Sequence, residues 1–133
     1  MEPKYQPDPI ELKLPPEPKS VPRARWALRQ FADRVGADAD AVALAVSEAV
    51  SNAVVHAYRG AKGMIAICAE LADDGRLLVT VVDRGVGMKP DPDHGGMGLG
   101  LPLIGLVTDS VEVSSRGAAG VELRMRFRRN RAA

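Results

Sequence analysis

With 133 residues, 46% hydrophobic and 26% charged, the chain has apolar material for one real core and the polarity of an ordinary globular protein. A formal net charge of +1 gives no electrostatic footing for direct nucleic-acid binding. The single cysteine, Cys68, excludes an internal disulfide, and no Cys/His pattern suggests zinc. No apolar run approaches the roughly 20 residues that span a bilayer, and the proline-rich start is unlike a secretion signal. The expectation is one cytoplasmic, non-membrane domain over 1–133, with 1–9 and 129–133 as flexible ends.

Seven of the ten prolines fall in the first 22 residues, which rules out an ordinary helix there. Within them "IELKL" (10–14) alternates apolar and polar side chains, as a short edge strand does, and an edge tolerates nearby proline. Ser20 is placed to cap a helix starting near Val21, with Pro22 in its first turn. Trp26, Leu28, Phe31, Ala32 and Val35 give that helix an apolar face, and Gly36 ends it. Asp38 or Asp40 opens a second helix that runs to about Tyr58, where "RGAKG" breaks it. Two β-rich runs then flank Asp73-Asp74-Gly75, a strong hairpin signal. "GVGMKPDPDHGGMG" is too rich in Gly and Pro to be anything but a loop. "LGLPLIGLV" reads as a short helix with Pro102 in its first turn, and "SVEVS" and "VELRMRF" as two closing strands. The order βααββ, loop, αββ predicts an α+β two-layer α/β sandwich, its mixed, mostly antiparallel sheet covered on one face by helices.

Three features carry chemistry. Between Ala39 and Tyr58 there is no Lys or Arg, and only Asp40 and Glu48 carry formal charge. The polar residues Ser47, Glu48, Ser51, Asn52 and His56 form a narrow stripe, with Glu48, Asn52 and His56 each four residues apart. Such a stripe is either a small exposed face or one wall of an enclosed cavity. In the second case a carboxylate and a carboxamide one turn apart suit a hard cation and a water. At the end of "LLVTVVDRGVGM", Asp83 is followed by Gly85 and Gly87. This is either a capped strand-end turn or a carboxylate placed to accept a hydrogen bond from an exocyclic amine. Finally, "GGMGLG" (95–100) leads into a helix: either a hinge, or free amides at a helix start that hold phosphate. It is not a Walker loop, since no Gly-Lys-Ser/Thr follows.

Taken in this order, the polar helix, the strand-end Asp with its glycines and the glycine loop opening a helix resemble the N, G1 and G2 boxes of the GHKL superfamily of ATP-binding domains. Their fold is called the Bergerat fold. The likeness runs from about Ala39 to Phe127, and "SEAVSNAVVHAY" is most similar to the anti-sigma factor serine kinases. The resemblance implies that Asn52 coordinates Mg²⁺ and that Glu48 is the general base. It further implies that Asp83 binds the adenine amino group of ATP and that Gly85 and Gly87 shape the adenine side. Gly96, Met97, Gly98, Leu99 and Gly100 would form the phosphate-binding turn. His56 closes the N-box match, as an ATP contact or as a packing residue.

What the resemblance implies about function is an ATP- and Mg²⁺-dependent protein serine kinase that is also an anti-sigma factor. It would phosphorylate a STAS-type anti-anti-sigma protein, sequester a sigma factor, and exist as a homodimer. Phosphoryl transfer asks a protein mainly for a positioned nucleotide, a metal that spreads charge and an oriented acceptor. The rival reading is a nucleotide-binding regulatory module that holds a partner without transfer; a third is an interaction domain that binds no nucleotide. Arg124, Arg126 and Arg128 alternate and therefore share a strand face, turned to solvent or to an acidic partner.

Overall fold

The computed structural model describes residues 7–57, 63–83, 100–115 and 120–129. Its elements follow the expected order: β1 (Ile10–Leu14), α1 (Ser20–Val35), α2 (Ala39–Ala57), β2 (Ile65–Leu71), β3 (Leu77–Asp83), α3 (Gly100–Val107), β4 (Ser110–Ser115) and β5 (Val121–Phe127). The five strands form one sheet in the order β1-β2-β3-β5-β4, and every neighbouring pair is antiparallel. β1 is an edge strand, as its short alternating run between prolines suggested.

Local chemistry sets the boundaries. Gly36 ends α1 in the left-handed region, with φ 78°, and its N–H reaches back to the Ala32 and Asp33 carbonyls. A side chain at that φ would be strained, so glycine is the natural stop. Asp38 caps α2: its Oδ1 accepts hydrogen bonds from the Asp40 and Ala41 amides at 3.0 and 3.2 Å. In the β2–β3 hairpin Gly75 takes φ 86°, Ala72 N–H donates to the Arg76 carbonyl at 2.8 Å, and Asp74 Oδ1 accepts from Arg76 N–H. Asp73-Asp74-Gly75 is therefore the turn that its composition announced.

Two expectations about α1 need correction. Ser20 does not cap the helix; it is the first helical residue, fully buried, and its hydroxyl donates to the Pro15 carbonyl at 2.6 Å. The bond ties the proline segment to the start of α1. Trp26 does not join the apolar face, and 67% of it is exposed. Buried Ala24, Leu28, Phe31, Ala32 and Val35 already fill that face. Trp26 lies on another side of the helix, along a groove beside Ile10 and Leu12 of β1. α3 begins two residues later than a start near Gly98, and Pro102 still falls in its first turn.

Strand alternation divides the sheet into two faces. Ile65, Ile67 and Ala69 of β2, Leu77, Val79 and Val81 of β3, and Val121, Leu123, Met125 and Phe127 of β5 are all buried on the face that meets the helices. Residues between them, such as Cys68, Thr80 and Arg124, occupy the opposite face. In the helical layer α2 packs between α1 and α3 and over β3. This buries Val42, Ala43, Ala45, Val46, Ala49, Val50, Ala53 and Val54. Neighbours on several sides thus explain much of the missing charge on α2.

Candidate functional site

β3 delivers Asp83 to the helical face. Its register sets Asp83 directly opposite Ile65 on one side and Val121 on the other, both buried. Asp83 therefore continues the inward series Leu77, Val79, Val81 where that series reaches the edge of the helical layer. The residue is half-buried, and its Oδ2 is fully enclosed.

α2 meets it from above. Ala49, Asn52 and Ala53 line one small pocket together with Val81, Asp83, Val121 and Leu123. The described residues enclose about 20 Å³, room for about one water, so they form the floor of a site. Chemically the floor is narrow in type: five aliphatic side chains, one carboxamide and one carboxylate. Ala49 and Ala53 lie one turn apart and leave space above β3 that larger side chains would fill. An apolar slot with one carboxylate at its end suits a flat, largely apolar group carrying a hydrogen-bond donor.

The polar stripe on α2 divides here. Asn52 faces the pocket. Glu48, one turn earlier and about 40° round the helix axis, is half-buried and not among the lining residues. Ser47 and Ser51 are half-buried as well, and the Ser47 hydroxyl oxygen is enclosed with no hydrogen-bond partner among the described residues. Neither is among the described residues that line this pocket. His56 lies within α2 one turn beyond Asn52, and its side chain is outside the described set. Gly100 is the first residue of α3. Gly85, Gly87, Gly96, Met97, Gly98 and Leu99 lie outside the described residues.

Sequence reasoning missed Ala49, Ala53, Val81, Val121 and Leu123. The alanine pair at i, i+4 was the one local signal. Val121 becomes visible only once β5 is paired with β3, across a long separation in sequence. Among the described residues no group of three or more His, Cys, Asp or Glu side chains is placed to hold a metal ion. Asn52 offers this pocket one neutral amide oxygen, a weak hold on a cation by itself. Mg²⁺ tolerates that, because it keeps waters and substrate phosphates in its shell.

The histidine kinase-like ATPase domain family matches residues 14–127 of the chain. The chain belongs to that family. Among its relatives, the anti-sigma F factor of Clostridium acetobutylicum is 30% identical over 131 residues, covering 88% of this chain and 91% of the relative. The serine-protein kinase RsbW of Bacillus velezensis is 35% identical over 135 residues, covering 87% and 84%. The RsbU and RsbW domains of Rv1364c from Mycobacterium tuberculosis share the fold, with a TM-score of 0.69 at 23% identity over 92% of this chain and 32% of that one. The family membership matches the GHKL resemblance that the N-box helix and the strand-end Asp suggested. No described helix is long and apolar enough to cross a membrane.

Proposed function

We propose that this histidine kinase-like ATPase domain is an ATP-dependent protein serine kinase and anti-sigma factor, working in the cytoplasm and pairing with a second copy of itself. The observation that carries this reading is the meeting of Asn52 and Asp83 in one pocket, from different elements and 31 positions apart in the sequence. In this reading the adenine ring lies over Val81 and Leu123, between the alanines of α2 and β5. Its exocyclic amine donates to Asp83. The triphosphate then runs past Asn52 toward the start of α3 at Gly100. Mg²⁺, held on the protein side by Asn52, would spread the phosphate charge.

The partner is a STAS-type protein presenting a serine. Its Oγ bonds to the γ-phosphorus as the bond from that phosphorus to the bridging oxygen breaks; ADP carries away the electron pair, and Glu48 accepts the serine proton. In the unphosphorylated state that partner competes with a sigma factor for the kinase. The names of the two similar proteins, an anti-sigma factor and a serine-protein kinase, support this assignment.

One observation favours a second reading, a nucleotide-binding module that holds its partner without transfer: among the described residues, Glu48 does not line the pocket that Asn52 and Asp83 share. Incubation with labelled ATP, Mg²⁺ and the cognate STAS protein separates the two. The kinase reading expects label on one partner serine, reduced at least about 100-fold in Glu48→Gln, as for loss of a general base. ATP binding with no label on any partner serine would overturn it in favour of the module.

A further inference from the structure

β1 stands at one end of the sheet order and pairs with β2 alone, so among the described residues its other edge meets no strand. Along that edge runs a groove of about 780 Å³ that shares no residue with the pocket of Asn52 and Asp83. One wall is β1, from Ile10 to Leu12; the other is α1, led by Trp26, Ala27 and Gln30. Ile10, Leu12 and Leu14 all point to the helical side of the sheet. Leu14 is buried there, whereas α1 leaves Ile10 and Leu12 only half-buried. Trp26 stands exposed beside them and is the chain's one tryptophan. Edge N–H and C=O groups are matched by the backbone of a further strand, and tryptophan is among the residues most enriched at the centres of protein contacts.

We infer that this groove takes a short extended segment of a partner protein, which adds to β1 as a sixth, antiparallel strand. Successive side chains of the added strand alternate between the groove and the open face of the sheet. Its groove-side positions lie opposite Ile10, Leu12 and Leu14 and beside Trp26, so they are apolar. Its open-face positions lie opposite Glu11 and Lys13, which are exposed and make no ion pair among the described residues. Opposite charges across a strand pair attract and like charges repel. An antiparallel strand passes Lys13 before Glu11, so it carries an acid and then, two residues on, a base.

Length is set as well. Pro9 and Pro15 bound the five residues of β1, and proline has no N–H to offer an incoming strand. The fitting segment therefore reads apolar, acid, apolar, base, apolar. A parallel strand would need base before acid, and parallel pairing is the weaker per residue.

The probe is a blocked heptapeptide, acetyl-Thr-Val-Glu-Val-Lys-Val-Thr-amide, set against its charge-swapped twin, acetyl-Thr-Val-Lys-Val-Glu-Val-Thr-amide. Trp26 reports on the groove directly, because the chain has no other indole. The wild-type chain is expected to show a saturable blue shift of Trp26 emission with the first peptide at up to about 1 mM. The twin is expected to bind at least about fivefold more weakly. Exchanging the two charges, with Glu11→Lys and Lys13→Glu in one chain, reverses that preference, and ATP titration checks that the nucleotide pocket of this variant is intact. Hydrogen exchange is expected to slow at amides within Ile10–Leu14 when the favoured peptide is bound. No shift with either peptide would overturn the site, and equal binding of both would overturn the strand pairing. A wild-type preference for the twin would overturn the antiparallel direction, and a preference that survives the charge exchange would overturn the register. A blue shift that grows with chain concentration in the absence of peptide would assign the groove to a second copy and overturn the partner segment.

Discussion

Asp83 shows how one residue acquires a role from its neighbours. In sequence it is an Asp before a glycine turn, a pattern that ordinary strand ends share. In the structure it is the last inward position of β3, set between Ile65 and Val121 and opening onto Asn52. A carboxylate among aliphatic walls interacts strongly with a donor that fits and disfavours one that does not. Asp83→Asn, which alters the acceptor and keeps the shape, is expected to weaken ATP binding at least about tenfold, as for loss of a charged hydrogen bond. Glu48 was equally legible as a type and less so as a location. Spacing put it on the face of Asn52, but about 40° of rotation separates a pocket residue from a half-buried neighbour. The alanines were the least legible, because their contribution is the space they leave. Ala53→Val is expected to lower ATP affinity at least about tenfold while shifting stability by no more than about 1–3 kcal/mol, with calorimetry reading the first and urea denaturation the second.

At the scale of elements, turn and cap chemistry carried the most information. Gly36, Asp38 and Gly75 each stand where the backbone needs them, and each was readable because the requirement is local. Asp38→Ala removes the acceptor for two α2 amides and is expected to cost about 1 kcal/mol, measured as a lower urea midpoint at unchanged slope. Side-chain direction was less legible. Trp26 counted as apolar and was assigned inward, yet a helix face already filled by Leu28 and Phe31 has no room for an indole. Likewise α2 lacks charge chiefly because α1, α3 and the sheet surround it, a fact about packing that composition cannot separate from a ligand cavity.

For the whole molecule, the sequence conveyed the order of elements but not the insertion of β5 between β3 and β4. That pairing brings Val121 and Leu123 beside Asp83, and it creates charged rows on the opposite face. On that face the Arg126 guanidinium donates to Glu112 and holds its carboxyl below the usual glutamate range. A lowered folded-state value means that the pair's contribution is present above the ordinary glutamate pKa and is lost as pH falls through the folded value. An NMR titration is expected to place the Glu112 midpoint below that of a free glutamate and to return it upward in Arg126→Leu.

The candidate nucleotide site lies on the helical side of the sheet. The central claim is that the floor formed by Asn52 and Asp83 binds ATP. Titration calorimetry with ATP and Mg²⁺ on the wild-type chain and on Asp83→Asn tests it most directly. The account predicts a saturating one-site isotherm for the wild type and a marked loss of affinity in the variant. No measurable ATP binding by the folded wild type, or equal affinities in the two proteins, would contradict it.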